Sequence, residues 1–138
     1  MKRIKVTELD HIVLNVSDID RSLAFYIEVL GLTAERVNEF KAGEVGFPSV
    51  RINQDTIIDL FPNKDTDKDP VAGEKREGNL NHFCMVVGPE DFSGIVDYLK
   101  DNGVTVHAGP VSRWGARGRA TSVYFLDPDG NEIEIRCY

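Results

Sequence analysis

The apolar positions of this chain switch between two periods, and the whole succession of switches occurs twice. Residues 9–16 and 80–87 are apolar runs of strand length, each opened by Leu-Asx-His: Leu9-Asp10-His11-Ile12-Val13-Leu14-Asn15-Val16 and Leu80-Asn81-His82-Phe83-Cys84-Met85-Val86-Val87. Each predicts a buried strand. Helical spacing follows both. After the capping residues Ser17 to Asp20, Leu23, Tyr26, Ile27 and Leu30 recur on one stripe, and Gly31 supplies a stop. In the second half Pro89 and Glu90 open a helix carrying Phe92, Ile95, Val96 and Leu99, and Gly103 ends it. Three strand candidates then close each half: about 33–40, 44–52 and 56–61, and about 104–107, 120–126 and 131–137. Gly43, Asn53-Gln54-Asp55 and Asp127-Pro128-Asp129-Gly130 are turn chemistry between them.

The pattern predicts an α+β fold of two tandem βαβββ modules, about 7–62 and about 80–138, within one domain. Between them, Pro62 to Asn79 is a polar run whose only apolar residues are Val71 and Ala72. It reads as a solvated linker or flap over about 63–79, not a packed element.

Strand alternation assigns faces. Ile12, Leu14 and Val16 face the helix of their module, which leaves His11, Val13 and Asn15 on the open side. Phe83, Met85 and Val87 do the same in the second module, which leaves His82, Cys84 and Val86 open. The last strand of each module carries an acid among apolar neighbours: Asp59 in Ile57-Ile58-Asp59-Leu60, and Glu134 in Ile133-Glu134-Ile135. Near-equal intervals separate histidine from acid in the two modules. His11, Asp59, His82 and Glu134 therefore form a repeat-related set of two imidazoles and two carboxylates. Such a set suits a divalent ion: zinc, nickel, cobalt, manganese or iron. Glu132 projects to the same face as Glu134, but Glu134 lies deeper in its strand and aligns with Asp59. His107 has no counterpart in the first half and reads as an ordinary surface or core histidine.

Composition narrows the function. A chain of 138 residues buries a core without disulfides or a structural metal, so a metal here is expected to be catalytic. The net charge of −7 argues against nucleic acid or an anionic membrane as partner. Cys84 and Cys137 form no metal-type or disulfide-type spacing and read as reduced, buried thiols. The N-terminus lacks a signal-peptide apolar core, and no run is long enough to span a membrane, so a cytoplasmic location is expected.

Leu-Asp-His…Phe-Tyr…Leu-Gly-Leu within residues 9–32 and Tyr124-Phe-Leu-Asp-Pro-Asp-Gly-Asn-Glu-Ile-Glu134 resemble the vicinal oxygen chelate superfamily. That superfamily holds glyoxalase I, extradiol dioxygenases, fosfomycin thiol transferases, methylmalonyl-CoA epimerase and bleomycin-binding proteins. The resemblance implies a cupped mixed sheet around one divalent metal, ligand positions at His11, Asp59, His82 and Glu134, and a homodimer. Asp59 is a methylene shorter than the glutamate frequent at its position. The segment Gly109-Pro-Val-Ser-Arg-Trp-Gly-Ala-Arg-Gly118 is similar to a stretch in a small glyoxalase-domain subfamily. As a glycine-rich loop in an acidic chain, it offers Arg113 and Arg117 to an anionic substrate group, with Trp114 as cover.

The first expectation is a metal-dependent lyase or isomerase of glyoxalase I type. It would act on a small-molecule substrate with adjacent oxygens, with Glu134 or Asp59 moving a proton. The alternatives are an extradiol-type dioxygenase using His11, His82 and Glu134, a thiol transferase, and a metal-free drug- or metabolite-binding resistance protein.

Overall fold

The computed structural model describes residues 6–62, 71, 73–76, 78 and 80–138. The chain divides into two compact units, residues 1–67 and 68–138. Both are α+β units built on a four-stranded mixed sheet.

The first unit runs β1 (His11–Val16), α1 (Ile19–Leu23) continuing as a π-helical turn (Ala24–Val29), β2 (Thr33–Glu35), α2 (Val37–Lys41), β3 (Ser49–Arg51) and β4 (Ile57–Pro62). Its sheet order is β1-β4-β3-β2, with β1 parallel to β4 and the other pairs antiparallel. The expected faces of β1 hold: Leu14 and Val16 are buried while Val13 is exposed. Leu14, Val16, Leu23, Phe25, Tyr26, Val50, Ile58 and Leu60 form the core. Asp18 caps α1 by accepting from the Arg21 amide at 3.0 Å. Widening into π geometry begins at residue 24, and Leu30 bonds back to the Phe25 carbonyl. Consecutive Phe25 and Tyr26 are both buried there, their rings packed edge to face.

The strand expected over 33–40 is cut short. Arg36 takes the left-handed conformation, φ 55°, and the chain turns into α2. That conformation is costly for a residue with a Cβ. The Arg36 guanidinium is anchored on Ser49 across the sheet at 2.9 Å, a contact that sequence periodicity does not encode.

The second unit runs β5 (Phe83–Val86), α3 (Pro89–Phe92), α4 (Ile95–Asp101), β6 (Ala108–Gly115), β7 (Gly118–Leu126) and β8 (Glu132–Cys137). Its order, β5-β8-β7-β6 with β5 parallel to β8, repeats that of the first unit. The expected helix breaks at Ser93, which is extended, and Gly94, φ 75°.

Two further expectations need correction. Residues 104–107 are not a strand, and the presumed glycine-rich loop 109–118 is mostly the β6–β7 hairpin. Its glycines are what hairpin geometry requires. Gly109 has φ 91°, and a Cβ there would overlap the Ser122 carbonyl oxygen. Gly118 has φ 96° beside the two-residue turn Ala116–Arg117. Gly109→Ala is expected to destabilise the protein by at least about 2 kcal/mol, read from chemical denaturation.

The Asp127–Asn131 turn is held by one buried carboxylate. Asp127 Oδ1 accepts from the amides of Asp129 at 2.9 Å and Asn131 at 2.8 Å, and Oδ2 accepts from the Asn131 side chain at 2.8 Å. The expected linker lies mostly outside the described residues, yet its stretch 74–76 packs. The Arg76 amide donates to the Gly130 carbonyl at 2.8 Å, and Lys75 pairs with Glu132. Gly130 leaves room for the Glu74 carbonyl, which a Cβ would displace. Residues 74–76 are thus a strap across the turn.

Candidate functional site

In the first unit, β1 and β4 lie side by side with Val13 opposite Asp59 and Asn15 opposite Phe61. The register puts His11, Asp59 and Phe61 on the open face. His11 Nε2 stands 3.8 Å from Asp59 Oδ2. The other ring nitrogen, Nδ1, bonds Asp10 Oδ1 at 2.6 Å. That bond raises the His11 pKa above its ordinary value; partial burial opposes the rise, and the charges of Asp59 and Asp10 add to it. Asp59 is buried, and its second oxygen is engaged. Ser49 Oγ donates to Oδ1 at 2.6 Å, and the Arg36 guanidinium lies 3.6 Å away.

The second unit repeats the arrangement with different residues. His82 Nε2 stands 3.1 Å from Glu134 Oε2, and His82 Nδ1 is 2.6 Å from Asn81 Oδ1. Glu134 is buried, and its Oε1 faces Arg136 at 3.4 Å. In both units, then, an Asx residue orients the ring, the far nitrogen faces a buried carboxylate, and an arginine steadies the carboxylate from behind. Partners of this kind fix metal ligands in register.

The donor chemistry fits a cation. With Nδ1–H given to Asp10 or Asn81, the free nitrogen and the carboxylate oxygen face each other and share one proton, or one metal ion, between them. Ions that bind nitrogen and oxygen at about 2.1 Å place neighbouring ligands about 3–3.5 Å apart. The His82–Glu134 separation falls in that range, and the His11–Asp59 separation is wider. Among the described residues no group of three or more His, Cys, Asp or Glu stands together as a metal-holding cluster; each unit offers a pair. Asp10→Asn is expected to lower the His11 pKa in the metal-free protein, and NMR titration of the ring protons reads it.

Other residues flank the second pair. Tyr124 pairs with Glu134 across β7 and β8, and its ring lies edge-on to His82 at 5.7 Å between centroids. Burial first, and then the Glu134 carboxylate, raises the phenol's pKa, with Arg113 opposing. Tyr124 therefore stays a proton donor at neutral pH. Its place was open to a register argument, because the residue opposite Glu134 shares its face. Cys84 also neighbours Glu134. The expectation of a buried thiol is wrong here: Cys84 is exposed on the open face, and both cysteines are free. Partial burial and Glu134 push its thiol up to about 11, so it is not a ready nucleophile at neutral pH. Glu132 turns to His107 at 3.2 Å and to Lys75 instead of joining Glu134.

Arg113, Trp114 and Arg117 sit at the free end of the β6–β7 hairpin. Trp114 is 72% exposed with the Arg119 guanidinium stacked 4.7 Å from its ring centre. Arg117 lies over the Tyr138 ring at 4.2 Å, and its amide donates to the Tyr138 hydroxyl oxygen at 3.0 Å. In the first unit Phe40, Gly46, Phe47, Phe61 and Pro62 line a cavity of about 490 Å³. None of these described lining residues is charged, and the Phe47 and Phe61 rings are 4.5 Å apart.

These features define a class: repeated βαβββ units, each with a histidine facing an arginine-backed acid on the open side of its sheet. The model described as Glyoxalase/Bleomycin resistance protein/Dioxygenase superfamily matches residues 8–135, and the chain belongs to that family. It is similar to Virulence protein STM3117 of Salmonella typhimurium, 32% identical over 133 residues, covering 96% of this chain and 85% of the relative. The crystal structure of that relative superposes with a TM-score of 0.74 at 31% identity, over 98% of this chain and 99% of the other. Glutathione transferase FosA of Serratia marcescens is 30% identical over 129 residues, covering 92% of this chain and 78% of the relative. A probable lactoylglutathione lyase of Synechocystis is 28% identical over 130 residues, covering 91% of each. No helix among the described residues is long and apolar enough to cross a membrane.

Proposed function

We propose that this chain is a metal-dependent lyase or isomerase acting on a small substrate with two adjacent oxygens. The observation that carries the reading is the His82–Glu134 pair at 3.1 Å, with Asn81 and Arg136 fixing it from behind. His82 and Glu134 would hold the ion in the second unit, and His11 and Asp59 are the matching ligand candidates of the first. The bound ion would supply Lewis-acid stabilisation of charge on the substrate oxygens.

The protein's own groups account for the proton traffic. Asp59 Oδ1 is engaged by Ser49 and Arg36, which leaves Oδ2, like Glu134 Oε2 in the second unit, as a candidate to take a proton from the hydroxyl-bearing carbon next to the substrate carbonyl and return it to the carbonyl carbon, while the hydroxyl proton passes to the carbonyl oxygen. The net change is an isomerisation with no outside oxidant. Within the second unit Tyr124, held neutral beside Glu134, would donate a hydrogen bond to charge developing on a substrate at that unit's pair. The phenylalanine-lined cavity begins one side-chain step from Asp59 along β4 and suits an apolar substituent on the substrate.

A thiol-transferase reading draws support from the likeness to FosA and from the arginines of the hairpin. A dioxygenase is disfavoured because His107, the remaining histidine, is bound to Glu132. The test begins with metal analysis of protein purified without chelator. Bound zinc, nickel, cobalt or manganese together with isomerisation of a glutathione–methylglyoxal hemithioacetal is the expected result. Thiol addition to fosfomycin, or iron with oxygen uptake on catechols, would transfer the assignment to the alternatives. Protein that takes up no metal would be a binding protein.

A further inference from the structure

Gly115 marks a close approach of a side chain to the hairpin backbone. A Cβ there would overlap the guanidinium of Arg136. That guanidinium lies flat beneath the hairpin end and is 3% exposed with its residue. Its NH1 donates to the Trp114 carbonyl at 3.0 Å, and its NH2 donates to the carbonyls of Arg113 at 3.0 Å and Gly118 at 3.2 Å. NH1 also reaches Glu134 Oε1 at 3.4 Å. The Tyr138 ring covers it at 4.8 Å. A buried guanidinium is tolerated when its charge and most of its donors are matched; among the described residues Nε has no hydrogen-bond partner, so the contacts of NH1 and NH2 carry the group. One planar group thus grips both the rear oxygen of Glu134 and the backbone that presents Arg113, Trp114 and Arg117. Lysine carries the charge but not the fork that spans these acceptors.

We propose that Arg136 is a positioning residue that couples the metal-facing carboxylate to the arginine hairpin. A cation drawing on Glu134 Oε2 fixes Oε1, Oε1 fixes the guanidinium, and the guanidinium orders the three carbonyls of the hairpin end. Metal occupancy and hairpin order then rise together, so the hairpin arginines are set once the metal is in place. This coupling rests on Glu134 being a ligand, as proposed above.

Trp114 is the only tryptophan and sits on the hairpin, so its fluorescence anisotropy reports hairpin order. Zinc has no redox chemistry and a filled d shell, which makes it the suitable probe. Zinc added to the metal-free wild type is expected to give calorimetric binding and a parallel rise in Trp114 anisotropy with the same midpoint. Arg136→Lys is expected to bind zinc about tenfold more weakly, the size seen for loss of a partner behind a ligand, and to uncouple the Trp114 signal from zinc. Gly115→Ala keeps the arginine and displaces it, so it carries the same test if the lysine variant does not fold. Circular dichroism checks the fold of both. Zinc binding that leaves wild-type Trp114 unmoved overturns the coupling alone, as does a folded variant with wild-type zinc affinity and response. A wild type that takes up no zinc overturns the ligand assignment and the coupling with it.

Discussion

Glu134→Gln is expected to weaken divalent-metal binding about a hundredfold or more, against a much smaller loss for Asp59→Asn. Glutamine keeps the shape of glutamate but offers no charge to the ion. It also strips Arg136, 3% exposed, of its carboxylate partner, and a buried charge left alone costs about 3–5 kcal/mol. Metal affinity by calorimetry and stability by denaturant midpoint should therefore both fall. The asparagine variant differs for two physical reasons. The His11–Asp59 separation is 3.8 Å against 3.1 Å for His82–Glu134. Arg36, a third exposed, also keeps water as an alternative partner. Equal losses in the two variants would mean that Asp59 ligates as fully as Glu134. No loss in Glu134→Gln would remove Glu134 from the ligand set.

The second large effect lies one residue before each acid. Ile58→Ala and Ile133→Ala are each expected to cost about 2–5 kcal/mol, the range for truncating a buried isoleucine and leaving a cavity. Both isoleucines are fully buried, and strand alternation turns each inward where the following acid turns outward. They fix the height of the acid's backbone in the sheet. Beyond the stability loss, metal affinity should drop in the variants that remain folded, because the carboxylates lose their seat. Thermal melts with and without zinc separate the two effects: metal stabilises only protein whose site survives.

Local patterning carried the sequence reading a long way. The inward positions of β1 and β5, the four strands per half and the histidine and acid of each unit follow from alternation and from the half-chain repeat. The misplacements have a common origin in contacts between residues distant in sequence. The helix at 37–41 depends on Arg36 reaching Ser49. The hairpin at 108–126 uses glycines for close approaches to Ser122 and Arg136, and in sequence these look like loop glycines. Tyr124 and Arg136 acquire their places from strand register, which no single segment states. The inner ends of both acids were legible only as charges in apolar strands; the arginines that compensate them were not.

The strap at 74–76 decides where an independent second module has to begin. A gene fragment starting at residue 80 would contain every strand of that module. It would also leave the Gly130 carbonyl without its amide donor and Glu132 without its lysine. A fragment starting at Val71 keeps both. If the two halves descend from a duplicated ancestor, the segment that once looked like a spacer belongs to the downstream copy, and any recombination of modules from different chains should splice upstream of it.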